Sequence, residues 1–478
     1  MYKKIIYIFA IFFVFFLSSC DSSRIDENLL FSLTDDESAY EVSANQLLSG
    51  DIIVPEQYKG LPVIKIAELG FSNCSDLISI VIPDNVISIG DSSFAGCYRL
   101  ETISIPFVGN SRNSSYDFNH FGFIFGKNEY IGSYEAGGYY LPNSLKNVII
   151  TDAISIDDYS FFKAKELESI KISASVKEIG EYAFYDASSL SKILFEENSK
   201  LETIGDNSFA SCSKLSSIII PDNVISIGNS AFNRCTNLES ITIPKNVKNI
   251  GGLAFAYTYR MKSIIFEKGS QLQNIETSTF WEATGLESIN IPSNVKRIGD
   301  WAFEKASNLK SVSFEEGIQL ETIGNNAFRE ARNLESIVIP KTVTSIGSQA
   351  FENATSLTNI EFENGSKLKS ISYSAFKGCT SLVDLTIPES ITSVGVYAFG
   401  GCSSLVNITL SASLTDIGNY AFSDCTSLIS ITIPEGVTSI GFRAFSNCTS
   451  LTIYAVASSQ LVESSSSWNP SQCPVVWN

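Results

Sequence analysis

The sequence predicts an α/β solenoid, a right-handed stack of about 15 units of 23–25 residues with a cap at each end. Three observations carry that expectation. A phenylalanine in the setting I-G-x-x-A-F returns fifteen times, at Phe71, at Phe94 and then from Phe161 to Phe445. The steps are 23 or 25 residues, apart from one of 67 after Phe94. Between these phenylalanines runs L-x-x-I-x-I, the period-2 alternation of a half-buried strand. A fixed period in the twenties means that each unit packs only on its neighbours.

The unit around Phe94 shows the reasoning. Leu77, Ile80 and Ile82 form the strand, and Val86 and Ile89 carry the apolar set through a turn. Gly90 stands where a chain reversal asks for a permissive backbone. Phe94 and Cys97, three apart, fit a short helical turn. One unit buries about six apolar side chains at ~1.5–3 kcal/mol each, against about 1–2 kcal/mol per ordered residue. Stacking is therefore obligatory, and the units at ~4.8 Å spacing give a rod of roughly 70 Å.

Two unit lengths occur. In most 23-residue units the strand ends in Pro, as at Pro83, Pro221, Pro244 and Pro292. Proline lacks the N–H for a ladder bond and ends the strand. In 25-residue units an acid replaces it, at Glu196, Glu267, Glu315 and Glu363. Those acids are expected to be available to a basic partner. Asn85, Asn223, Asn246 and Asn294 follow the strand, but Thr342, Ser390 and Gly436 take that place elsewhere, so no continuous asparagine ladder is expected.

The near-verbatim A-F-x-x-C-x-x-L-x-x-I-x-I-P, as in Ala421 to Pro434, resembles the BspA-like leucine-rich repeats of bacterial surface proteins. The resemblance covers the chain from about Ile52 onward. It implies a leucine-rich-repeat-type solenoid that recognises protein ligands, through adhesion to host extracellular proteins or to other cells.

The ends divide by composition. Lys3 and Lys4 precede the apolar run Ile5–Leu17, so residues 1–19 read as a signal peptide. Leu17-Ser18-Ser19-Cys20 looks like a bacterial lipobox, which implies acylation of Cys20 and a lipid-anchored protein in the cell envelope, exposed at the surface. The alternative is an ordinary cleaved signal with an incidental cysteine. Residues 20–29 then form a tether and 30–62 an N-terminal cap, with a hairpin between Tyr40–Val42 and Asp51–Pro55. Repeats one and two occupy 63–106, an aromatic insertion 107–150, repeats three to fifteen 151–455, and a C-terminal cap with Trp468 and Trp477 occupies 456–478.

Little chemistry is offered. Of ten cysteines, eight share one repeat position that other units fill with Ala or Thr, which reads as a small buried group. Cys473 is left open between structure and reactivity. His120 is the one histidine, and no C-x-x-C occurs, so no metal, cofactor or catalytic residue is expected and no small-molecule substrate is assigned. A net charge of −18 disfavours nucleic acid.

Two surfaces remain as candidates. On the outward strand column Leu194, Ile219 and Ile265 stand among Ser and Thr. They read either as β-propensity on a solvated sheet or as a docking surface for an extended protein. The insertion gathers Phe118, Phe121, Phe123, Phe125, Tyr130, Tyr134, Tyr139 and Tyr140 among Gly and Ser. That mixture suits recognition, and equally a loop packed on adjacent rungs. The rival to a binding protein is an envelope spacer without a specific ligand.

Overall fold

The structure is a computed structural model that describes residues 25–112, 119–456 and 465–477. The signal peptide, Cys20 and Phe118 lie outside the described residues. The chain winds into a solenoid of about 18 turns, and each turn has three sides. The turn around Phe351 is representative.

On the first side, Ser336–Ile339 pairs in parallel with Asn359–Phe362 of the next turn. Its side chains alternate exposed and buried, and Ile337 and Ile339 enter the core. The Pro340 carbonyl then accepts the Val343 N–H at 3.0 Å and bends the chain. On the second side, the two residues Ser345–Ile346 pair in parallel with Thr322–Ile323.

The third side is where a short helix was expected, and there is none. Gln349 and Asn353, two residues either side of Phe351, both have φ of 60°. With these residues left-handed, alternate N–H groups point along the stack. Gln349, Phe351 and Asn353 donate to the carbonyls of Tyr373, Ala375 and Lys377 at 2.8–2.9 Å. Turns closed by Glu352 N–H to Gln349 O and Ala354 N–H to Phe351 O satisfy the residues between. A helix would close its bonds within one unit; this backbone closes them between units. Among the described residues the helical segments are confined to Phe121–Ile124 and Ser465–Trp468.

The turns exceed the fifteen phenylalanine units because both caps and the insertion each supply one. Ser49–Ile53 pairs with Asp76–Val81, and Val475–Trp477 pairs with Thr452–Ala455. Asn147–Ile150, at the end of the segment read as an insertion, pairs with Thr102–Ile105 on one side and Ser169–Ile172 on the other. The N-terminal hairpin differs from the expected one: Tyr40–Ala44 pairs antiparallel with Leu29–Leu33, which leaves Ser49–Ile53 free to join the stack.

The core is built from columns. From Phe161 to Phe445 consecutive rings sit 5.0–5.7 Å apart, with planes within 10°. Trp468 closes that column edge-on to Phe445 at 6.0 Å and is itself buried. The glycine column has a steric cause rather than the conformational one expected. Gly90 does not have positive φ, but a Cβ on it would lie 2.3 Å from the Glu68 nitrogen, so only glycine lets adjacent backbones approach this closely.

The acids of the longer units also have structural work. The carboxylates of Glu196, Glu267, Glu315 and Glu363 accept the N–H of Ala174, Lys245, Ser293 and Lys341 in the preceding turn, at 2.9–3.2 Å. One oxygen of each is thus committed within the stack. At Glu196 burial opposes the charge, and the hydrogen bonds from Lys171 and Ala174 outweigh it, so its pKa falls below the usual carboxylate value. The asparagine ladder is interrupted, as expected. Asn223, Asn246 and Asn294 each donate to a carbonyl of the preceding turn at 2.7–2.9 Å, while the Thr342 and Ser390 hydroxyls have no partner.

Candidate recognition surfaces

Leu194, Ile219 and Ile265 stand on the first side of the solenoid, in the outward-facing column of the strands. Pairing places Leu194 beside Lys171, Ile219 beside Thr242, and Thr242 beside Ile265. All three apolar side chains reach solvent, and Ile219 is 78% exposed. The ladder is weakest here, since Ile219 makes an isolated bridge where neighbouring turns have four-residue strands. Exposed apolar residues are ordinary on a solvated sheet; here three fall within four successive turns, with Thr242 between Ile219 and Ile265.

The aromatic segment is different. Phe121, Phe123 and Phe125 are buried, so these three expected binding residues are core residues with no surface for a partner. The cause is the column. Phe125 lies 6.2 Å from Phe94, and Phe121 lies 5.4 Å from Phe125 and 4.8 Å from Phe161. These rings fill the place that a missing repeat phenylalanine would leave. The backbone follows suit: Phe94 donates to the Ile124 carbonyl at 2.8 Å and Phe121 to that of Ser160 at 2.8 Å.

His120 accepts the Gly122 N–H on Nδ1 at 2.8 Å and stacks on Tyr139 at 4.9 Å. Burial pushes its pKa down to about 4, against the opposing pull of the Phe162 carbonyl and the Glu135 charge. Tyr130 and Tyr134 are half-buried and spend their hydroxyls internally. Tyr130 donates to the Tyr140 carbonyl at 3.2 Å, and Tyr134 accepts the Glu166 N–H at 3.3 Å. Burial raises both phenols well above their usual pKa. What the segment does offer solvent is its tip, where Ile131 is 89% exposed.

The repeat cysteines are buried thiols. In seven turns the Sγ donates to the carbonyl of the preceding turn's phenylalanine at 3.0–3.3 Å. Cys473 joins them: it is buried, and its Sγ reaches the Cys448 carbonyl at 3.3 Å. Burial pushes the Cys74 thiol up to about 11 and that of Cys448 to about 12.

Beside the phenylalanine column runs a charge ladder that sequence reasoning missed. Arg329 bonds Glu304 at 2.9 Å and Glu352 at 3.1 Å, and Lys377 reaches Glu352 at 3.2 Å. Both carboxylates are buried. The available signal was the alternation Glu304, Arg329, Glu352, Lys377 at the residue after each phenylalanine. Cations and anions neutralise one another there, which is the arrangement of a structural network. Among the described residues no cluster of His, Cys, Asp or Glu could hold a metal ion.

A recess of about 410 Å³ opens on the second side, lined by two columns of side chains. Lys200, Asn223, Asn246 and Gln271 form one column; Lys177, Glu202, Ile225 and Lys248 form the other. Sequence reading singled out Asn223 and Asn246 as ladder positions and none of the others.

Comparison with known proteins agrees with the architecture. The pattern of the BspA type leucine rich repeat region, six copies, matches residues 58–123, 133–262, 202–330 and 321–452. A leucine-rich repeat protein from Bacteroides ovatus is 22% identical over 95% of this chain and 100% of its own, with a TM-score of 0.50. A leucine rich cell surface protein from Faecalibacterium prausnitzii is 24% identical over 92% of this chain and 96% of its own, with a TM-score of 0.39. No curated protein matched. With a repeat pattern that covers most of its length and a solenoid built on that repeat, the chain belongs to the BspA-type leucine-rich repeat proteins.

Proposed function

We propose that this protein is a lipid-anchored cell-surface protein that recognises a protein ligand on the strand side of its solenoid, as an adhesin for host extracellular proteins or other cells. The observation that carries the reading is the group of Leu194, Ile219 and Ile265, exposed within four successive turns of a face rich in Ser and Thr. A rigid scaffold with an exposed sheet is the usual recognition surface of a solenoid, and uncharged apolar side chains suit the centre of an interface. Anchoring rests on Cys20 in its lipobox-like setting. The acidic chain makes nucleic acid a poor partner, and no catalytic role is assigned.

The test is attachment of the chain to a panel of immobilised matrix proteins and to bacterial cells. Ile219→Lys with Ile265→Lys places two cations on the patch and should weaken attachment by on the order of tenfold, ~1.4 kcal/mol. Circular dichroism should stay unchanged, because both side chains point to solvent. Attachment that ignores the double substitution, or that is absent across the panel, would favour the spacer reading.

A further inference from the structure

The recess on the second side owes its width to the order of unit lengths. From Phe184 to Phe280 the steps run 25, 23, 23, 25. Two short turns therefore lie between two long ones, whose added residues are exposed at Glu197–Asn198 and at Lys268–Gly269. From there to Phe376 short and long turns alternate singly, and after that only short ones follow. This is the place where a two-turn gap is walled at both ends. Lys200 and Gln271 come from the walls, and Asn223 and Asn246 from the floor.

The charge of the recess opposes that of the chain. The whole sequence carries −18, yet here three lysines meet one carboxylate, Glu202. Among the described residues the ammonium groups of Lys177, Lys200 and Lys248 have no carboxylate partner, although lysines a few residues away do, as Lys171 does with Glu196. Lys177 and Lys248 share a column three turns apart, roughly 15 Å at ~4.8 Å per turn.

The floor selects further. Asn223 and Asn246 commit their amide N–H to the Ser199 and Asp222 carbonyls, which turns the Oδ1 atoms into the available acceptors. Main-chain bonds already join the floor turns: Ile225 N–H donates to the Glu202 carbonyl at 2.8 Å and Lys248 N–H to that of Ile225 at 2.9 Å. An extended peptide binds a sheet chiefly through a run of free main-chain groups, and these turns have spent part of theirs on each other. A ligand with hydroxyl donors and spaced anions fits what is available.

We propose that this recess binds a short acidic oligosaccharide whose sulfate or uronate groups engage Lys177, Lys200 and Lys248 while its hydroxyls donate to Asn223 and Asn246. The site lies on a different side from the apolar strand patch and does not depend on that patch binding protein.

Calorimetry on the purified full chain tests it, with a heparin-derived hexasaccharide, an oligogalacturonate, a neutral dextran oligomer and a hexaglutamate peptide as probes. One or both acidic saccharides should bind, with affinity that falls as salt rises, and the dextran should not. Binding by the heparin fragment, the oligogalacturonate or both identifies sulfate, carboxylate or either as the recognised group. Lys177→Gln with Lys200→Gln and Lys248→Gln should lower affinity at least tenfold. Lys296→Gln with Lys369→Gln, on the same column where single short turns alternate with long ones, should leave it unchanged. The proposal is overturned if neither acidic saccharide binds or if hexaglutamate binds as well as they do. It is also overturned if the triple variant binds normally or if the control pair loses as much as the triple.

Discussion

Two glycines of this solenoid should respond very unequally to the same added methyl group. Gly347 belongs to the column where adjacent backbones meet. A Cβ there would lie 2.4 Å from the Asn325 nitrogen and 2.5 Å from the Gly324 carbonyl carbon, where 3.4 Å is ordinary contact. Both obstacles are backbone, so the turn itself must shift by about 1 Å. That would stretch the Gly347 N–H to Ile323 carbonyl bond from 2.8 Å to beyond hydrogen-bond range. One lost bond at ~0.5–1.5 kcal/mol and overpacking strain of ~1–3 kcal/mol give about 1.5–4.5 kcal/mol for Gly347→Ala. Gly269 has φ of 81° and nothing within 4 Å of its would-be Cβ. Gly269→Ala therefore meets only the left-handed penalty of ~1–2 kcal/mol, partly offset by ~0.4–1 kcal/mol from a stiffer unfolded chain. Asn198 occupies the equivalent place with φ of 60°, so a side chain is already accommodated there once. Hydrogen exchange read turn by turn is the assay, because a one-dimensional stack opens locally. Gly347→Ala should strip protection from the amides near Ile323, Gly347 and Phe351, and Gly269→Ala should leave its turn almost as protected as before. Equal losses at the two sites, or full protection of the Gly347 amide in its variant, would refute the steric account.

Three further outcomes follow from the core. Arg329→Ala leaves Glu304 without its ion-pair partner and Glu352 with Lys377 and the Gln349 amide, so it should cost about 3 kcal/mol, the low end for a broken buried pair; urea unfolding with Arg329→Lys as a partial rescue checks this. His120 has its pKa depressed in the fold, so its contribution to stability is present above its ordinary 6.5 and is lost as pH falls toward about 4; an NMR titration of its ring should give a midpoint near 4, and one near 6.5 would show the ring exposed. The thiols of Cys74 and Cys448 are raised to about 11 and about 12, so the stability they contribute is full below 9.0 and drains away as pH climbs toward those values. Iodoacetamide at pH 8 should leave both unlabelled until the chain is unfolded.

Much of this was legible because a repeat states each core position many times. The exchange of Cys with Ala marked a small buried site, and the phenylalanines marked a column. The helix was misread because Phe94 and Cys97, three apart, fit a tight turn as well as a helical one. Two left-handed positions decide between the two: the one at Tyr182, Trp301, Gln349 and their equivalents carries no glycine, and the one at Asn353 carries it only at Gly96, Gly378 and Gly401. Their strain is balanced by bonds to the next turn, and such bonds exist only in the stack. Gly90 was identified correctly as obligatory, but for the wrong reason, since a clash with the neighbouring turn is invisible in a single unit. The insertion left packing and recognition open for a related cause. Phe121 and Phe125 fill the column at spacings outside the period, so burial looked like an aromatic display.

Function in such a chain must reside where it departs from its own repeat, because the inward columns are fixed by packing and are alike along the rod. The departures on the outward columns coincide. Leu194, Ile219 and Ile265 lie on the strands that precede Lys200, Asn223 and Gln271 in the same turns, and the interrupted ladder at Ile219 falls between them. The segment from Lys177 to Ile275 thus carries apolar residues outward on one side and a cationic recess on another, while the outward strand positions from Ser336 to Ile433 are polar apart from Val338. One physical event, the run of two short turns between two long ones, shapes the recess in this segment. It cannot account for the exposed isoleucines, which lie on strands and not on the turns whose length varies. Two independent departures overlap on these turns, which is why both proposals fall on this part of the rod.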